Sequence, residues 1–222
     1  MSENKKYDII AFDLDGTLTD PVKGLTAGFR YAFHKMGIEC KDESVLKTYI
    51  GPPIRETWQK VYGFTPEESE RCVGFFREYY SVFGWWDNEI YKGVYDLLSE
   101  LKQNGKTLIL ATSKPDVHSS KILDKFGIAE FFDFKEGASF DNSREKKRDV
   151  LRYALDSIGA TTKEALDACV LIGDTRYDAE GAKEVGVDCI GVLWGYGTER
   201  DLIENGAKFT ASNVDELRAL LL

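Results

Sequence analysis

Residues Tyr7–Asp20 read YDIIAFDLDGTLTD. An apolar run of strand character, YDIIAF (7–12), stops at two aspartates one residue apart, Asp13 and Asp15, and Gly16 and Thr17 follow at once. Carboxylates held close together raise each other's cost of ionisation. Such a pair at the tip of a buried strand is therefore either solvated at a turn or built to meet a cation.

Outward from this stretch the chain changes rhythm twice. From Asp20 to about Trp86 there is no strand signal. Leu25, Phe29, Ala32, Phe33 and Met36 share one helical face. The run 52–63, PPIRETWQKVYG, opens on prolines and closes on a glycine. The run 65–84 has a threonine cap, acidic residues in its first turn and a glycine stop. Beyond residue 88, helical and strand patterns alternate. Helices are expected at 93–105, 115–127, 143–159 and 177–186, with a last one at VDELRALL (214–221). Strands are expected at KTLILATS (106–113), FFDFKEGAS (131–139), ACVLIGD (168–174) and VDCIGVLWG (187–195). This alternation predicts an α/β chain, a Rossmann-like doubly wound parallel sheet covered on both faces. The all-helical block reads as an insertion after the first strand, with 1–19 and 88–222 as the core and 20–87 as the inserted domain.

Composition narrows the functional classes. The chain has 222 residues, 43% hydrophobic and 30% charged, with a net charge of -9. That balance argues against nucleic acid or an anionic membrane as the main partner. No apolar run reaches the roughly 18 residues of a membrane span. The start, MSENKKYD, has no apolar stretch of the secretory type, and a cytoplasmic monomer or homodimer is expected. Cys40, Cys72, Cys169 and Cys189 lack metal-ligand spacing, and the last two lie in apolar runs that suit buried thiols. His34 and His118 also lack ligand spacing.

In open parallel sheets, ligands bind beyond the C-terminal strand ends, and four polar clusters fall there. They are Asp13–Thr17, Thr112–Ser113, the basic group Arg144, Lys146, Lys147 and Arg148, and Gly173–Asp174 with Asp178. Asp13 and Asp174 suit a shared Mg²⁺, which takes oxygen ligands and keeps several waters. Thr112 and the free N–H groups of the next helix start form an anion cradle, and one lysine of the basic group supplies a fixed charge. On an extended segment Asp13 and Asp15 would point to one side, with anchor points roughly 6–7 Å apart. Asp13 is then placed to attack phosphorus, and Asp15 to hand over and recover a proton.

DLDGTLTD, ATS, the lysine in REKKRDVLRYAL and GDTRYDAEGA resemble the four ordered motifs of the haloacid-dehalogenase-like hydrolase superfamily. The likeness covers essentially the whole chain, including a helical cap after the first strand. YIGPPIRETW, ATSKP and GVLWGYG are most similar to its phosphoglycolate-phosphatase-like branch, which includes proteins labelled 5′-nucleotidases. The resemblance implies Asp13 as nucleophile and Asp15 as acid/base, with Asp13, Asp174 and the Asp15 backbone carbonyl as Mg²⁺ ligands. It further implies Thr112 (with Ser113) and Lys147 as phosphate binders, Lys146 as the fallback lysine, and Asp178 as an indirect ligand. Thr175 stands where many relatives carry Arg or Ser.

The expected activity is Mg²⁺-dependent hydrolysis of a small phosphorylated metabolite through an aspartyl phosphate. A 5′-nucleotidase and a β-phosphoglucomutase-like mutase share that intermediate, and a binding module on a dead catalytic fold ranks behind them. Arg55, beside the Gly-Pro-Pro turn, is the residue of the inserted domain expected to meet a second anionic group on the substrate.

Overall fold

The computed structural model describes residues 7–39, 43–52, 54–139, 144 and 146–222, so Cys40 and Pro53 lie outside the described residues. Two compact units emerge, Met1–Asp20 with Ile90–Leu222, and Pro21–Glu89. The first part of the chain carries β1 (Ile9–Phe12), β2 (Thr19–Asp20), α1 (Val22–Lys35), α2 (Glu43–Lys47), α3 (Ile54–Tyr62) and α4 (Pro66–Tyr79). Next come β3 (Glu89–Ile90), α5 (Val94–Gln103), β4 (Thr107–Leu110), α6 (Asp116–Lys125), α7 (Lys147–Ser157) and α8 (Lys163–Asp167). The chain closes with β5 (Cys169–Gly173), α9 (Arg176–Val185), β6 (Asp188–Val192), α10 (Glu199–Asn205), β7 (Phe209–Ala211) and α11 (Val214–Leu221).

The larger unit is built on a five-stranded sheet of order β4-β1-β5-β6-β7 with every pairing parallel. Alternate residues explain why these strands read as unbroken apolar runs. Ala11, Ile109, Leu171 and Cys189 pack with Leu151 and Leu155 of α7, Ala179 and Ala182 of α9 and Leu202 of α10. The intervening residues Ile10, Leu108, Val170 and Ile190 are also fully buried, so both faces are covered. The fold is a Rossmann-like doubly wound sheet. Strand order reverses at β1: the chain goes to β4 on one side and returns to β5 on the other. A crevice at such a switch point is where doubly wound sheets bind ligands.

One expected strand is absent. Within 131–139 only isolated bridges form, Ile109 with Phe134 and Pro115 with Ala138. The Asp133 carboxylate accepts the Leu108 N–H at 2.9 Å, and a side chain thus takes a donor that a continuous ladder would need. The short β7, by contrast, spans only FTA, two apolar residues about a threonine, too brief to stand out from its polar surroundings.

The smaller unit is helical, apart from Glu89 at its edge. Thr65 caps α4 in a reciprocal box with Glu68, and the helix continues into one π-helical turn, Tyr80–Gly84. Its centre is aromatic: the rings of Phe29 and Phe76 stack at 5.2 Å, and Trp58 meets Phe29 edge-on at 6.0 Å. Trp58 is fully buried. No helix among the described residues is long and apolar enough to cross a membrane.

Candidate active site

Beyond β1 the Asp13 N–H still donates to the Ile172 carbonyl on β5, at 2.9 Å. The chain then bends at Leu14, whose carbonyl accepts from the Leu18 and Thr19 N–H groups at 2.9 and 3.0 Å. Gly16 closes the turn at φ 85°, a conformation that suits glycine. A Cβ there would also sit 2.2 Å from Asp174 Oδ2. This bend replaces the extended segment expected for 13–15, and the two carboxylates take different partners. Asp13 Oδ1 lies 2.8 Å from the Lys147 ammonium. Asp15 Oδ2 accepts from the Lys114 ammonium, and among the described residues Asp15 Oδ1 accepts no hydrogen bond.

Lys147, the first residue of α7, is buried and extends its ammonium to three oxygens. Besides Asp13 these are Asp178 Oδ1 at 2.8 Å and the Ala111 carbonyl at 2.9 Å. Lys146, its neighbour, is exposed. Gly181 of α9 makes the approach of Lys147 possible, because a Cβ there would sit 2.7 Å from Lys147 Cγ.

Asp174 follows β5 and is fully buried. Its Oδ1 accepts from Thr17 Oγ1 at 3.3 Å and its Oδ2 from the Tyr196 N–H at 2.8 Å. Asp178, one helical turn on and equally buried, accepts from the Thr175 N–H and hydroxyl at 3.0 and 2.8 Å through Oδ2. It therefore caps α9 while its other oxygen faces Lys147. Carboxylate oxygens of Asp13, Asp174 and Asp178 all lie within 4.8 Å of one another. Thr112 is buried beyond β4, with Oγ1 accepting from the Lys114 N–H at 3.2 Å. Ser113 beside it is exposed. Arg55, in the smaller unit, donates from Nε to Glu70 at 2.7 Å and from Nη2 at 3.3 Å, and the guanidinium holds the Glu70 carboxyl below its usual range.

The electrostatics of the cluster are unbalanced. Burial pushes the Asp13 carboxyl up to about 6, with Lys147 opposing and Asp178 adding to the rise. Burial, then Asp178 and Asp13, pushes the Asp174 carboxyl well up. Burial pulls the Lys147 ammonium down, but Asp13 and Asp178 outweigh it, so the group stays charged. Asp13 and Asp178 thus share one buried ammonium, and Asp174 lies beside them without contact to it. An oxygen-only donor set of this kind fits a hard divalent cation.

The ends of β1, β4 and β5 bring Asp13, Thr112 and Asp174 to the switch point, and α7 and α9 add Lys147 and Asp178. Sequence patterns place Thr17 in the first polar cluster without a contact of its own and assign nothing to Lys114 or Tyr196. Lys114 had a signal, a basic residue wedged between Thr112 and a helix start. Tyr196 had none, because its contact is made by a backbone N–H.

Residues 10–192 match the family described as haloacid dehalogenase-like hydrolases. The chain belongs to that family. A 5′-nucleotidase of Pseudomonas aeruginosa is 36% identical over 216 residues, covering 97% of this chain and 96% of that protein. The tyrosine-protein kinase PtkA of Mycobacterium tuberculosis is 35% identical over 223 residues, covering 99% of this chain and 74% of the kinase. Among solved structures, a predicted phosphatase from Clostridium acetobutylicum superposes with a TM-score of 0.91 at 37% identity, over 96% of this chain and 97% of that one. Within the haloacid dehalogenase-like hydrolases, this chain is of the phosphoric monoester hydrolase type.

Proposed function

We propose that the protein is a Mg²⁺-dependent phosphatase acting on a small, soluble phosphate monoester. The observation that carries this reading is the Lys147 ammonium seated between Asp13 and Asp178 with Asp174 beside them. Asp13 and Asp174, with the Asp15 backbone carbonyl, would hold the cation, and Asp178 would support it indirectly. When bound, Mg²⁺ supplies positive charge that lets a carboxylate and a phosphate dianion approach each other.

In this reading Asp13 attacks phosphorus and the ester P–O bond breaks, giving an aspartyl phosphate. Asp15 gives a proton to the departing alkoxide and takes one back from the water that cleaves the aspartyl phosphate. Thr112 would bind a phosphoryl oxygen, and Lys147 would hold Asp13 in line. The Asp116, His118 and Ser119 N–H groups at the start of α6, expected to be free for the anion, instead donate to the Ala138 and Pro115 carbonyls. Nucleoside monophosphates and phosphoglycolate are the first substrates to try. The larger unit would read the phosphoryl group alone, leaving selectivity to the smaller unit as a helical cap, with Arg55 as its candidate contact. A mutase would pass through the same aspartyl phosphate, so released inorganic phosphate is the readout that separates the two.

The test is phosphate release from a panel of phosphate esters, with Mg²⁺ and with chelator. Activity is expected only with Mg²⁺, and Asp13→Asn should lower turnover by about 10⁴-fold or more, as for other nucleophile removals. Full turnover in chelator, or a tenth of normal turnover in Asp13→Asn, would overturn the reading.

A further inference from the structure

Between β6 and α10 the chain runs Leu193-Trp194-Gly195-Tyr196-Gly197-Thr198. This loop brings no carboxylate to the cluster, yet its backbone lies directly on Asp174. A Cβ at Gly195 would sit 2.3 Å from Asp174 Oδ2 and 2.4 Å from the Gly16 carbonyl oxygen. A Cβ at Gly197 would sit 2.0 Å from the Asp174 carbonyl oxygen. Only glycine fits at either position. Between them, the Tyr196 N–H donates to Asp174 Oδ2 at 2.8 Å.

Two glycines flanking a functional N–H create a mechanical problem. Glycine has more backbone freedom than any other residue, so a Gly-Tyr-Gly segment does not hold a hydrogen-bond donor in place by itself. Two side chains remove that freedom. The Tyr196 phenol donates to Asp20 Oδ1 on β2. The Trp194 indole N–H donates to the Thr17 carbonyl at 3.0 Å, and the Thr17 hydroxyl reaches Asp174 Oδ1 at 3.3 Å. Asp174 is therefore gripped at both oxygens, and both grips are moored to the segment that follows β1.

We propose that Tyr196 is a positioning residue for the cation site: its phenol, moored on Asp20, fixes the loop so that its own N–H sets the Asp174 carboxylate. The inference rests on reading Asp174 as a cation ligand. Each carboxylate oxygen has more than one lone pair, so an oxygen that accepts from Tyr196 still has capacity for a cation. Ligating carboxylates are commonly oriented by such hydrogen bonds, and losing the orienting partner typically weakens metal binding 10–100-fold. Asp20 is also the last residue of the larger unit's first segment. The mooring thus ties Asp174 to the point where the chain passes into the smaller unit.

The experiment is calorimetric titration of the full chain with Mn²⁺, with no substrate present. Tyr196→Phe keeps the backbone donor and loses the phenol's bonds to Asp20 and to the Tyr91 side chain, and should weaken Mn²⁺ binding by about 10-fold, the low end of that range. Asp20→Ala removes the other half of the bond and should do the same, with the double variant no worse than either single one. Tyr7→Phe is the control, because Tyr7 makes a comparable bond to Asp188 at 2.8 Å. It belongs to none of the site, and should lower Tm while leaving Mn²⁺ affinity unchanged. Wild-type affinity in Tyr196→Phe, or equal losses in Tyr196→Phe and Tyr7→Phe, overturns the role of Tyr196. No Mn²⁺ binding by the wild-type protein overturns instead the cation reading beneath it.

Discussion

Lys146 and Lys147 are adjacent and chemically identical, yet burial separates them completely. Lys147 places an ammonium among Asp13, Asp178 and the Ala111 carbonyl, and its side chain is only 5% exposed. Removing one partner of a buried ion pair leaves an uncompensated charge, at a cost of about 3–5 kcal/mol. Lys147→Met should therefore lower the stability measured by urea unfolding by roughly that amount, and abolish turnover with it. Lys146→Met, a change on an exposed surface, should stay within about 0.5 kcal/mol. Equal effects from the two substitutions would mean that the ammonium is not held where the geometry has it.

At the scale of elements, the edge of the sheet shows how a single side chain redirects a ladder. Asp133 receives the Lys102 ammonium from α5 at 2.7 and 2.9 Å and the Leu108 N–H from β4 at 2.9 Å. Burial raises this carboxyl, but the ammonium and the amide outweigh it and bring it below the ordinary carboxylate range. A group whose folded pKa is depressed contributes stability above its unfolded pKa, near 3.9, and loses it as pH falls through the folded value. Solvent reaches this pair, which limits the gain to about 1 kcal/mol or less. Asp133→Asn should accordingly lower Tm at pH 7, and the two melting curves should converge as the pH falls below the ordinary carboxylate range. A constant difference across that range would mean that the charge plays no part. The same tie accounts for the strand missing from 131–139, since a carboxylate stands where a backbone carbonyl would have continued the pairing.

At the scale of the molecule, substrate kinetics tests the contact proposed for Arg55. Arg55 is held by Glu70 within the smaller unit, so the substrate contact proposed for it would be a competition between Glu70 and an anionic substrate group. If it contacts substrate, Arg55→Ala should raise KM for a doubly anionic ester such as phosphoglycolate far more than for p-nitrophenyl phosphate. Glu70→Ala should lower KM for the same ester. An arginine that serves only its helix pair would leave the ratio of the two KM values unchanged in both variants.

Local patterns in the sequence determined the four strands β1, β4, β5 and β6, most of the helices and their order, but not β7 or the loss of a strand at 131–139. Parallel strands separated by helices read as apolar runs with polar ends, and that signal survives without any knowledge of contacts. Asp13, Thr112 and Asp174 were legible for the same reason, each standing at the end of such a run in an order that a doubly wound sheet gathers to one edge. Tertiary structure alone decided the pairing of charges. Whether Lys146 or Lys147 turns inward depends on how α7 rests on Gly181 of α9. The turn at Leu14 sends Asp15 toward Lys114, 99 residues away in sequence, where strand periodicity would have kept it beside Asp13. The N–H of Tyr196 reaches Asp174 across 22 residues and, as a backbone group, leaves no trace in residue type. These contacts depend on which surfaces pack together, and packing is a property of the whole folded chain.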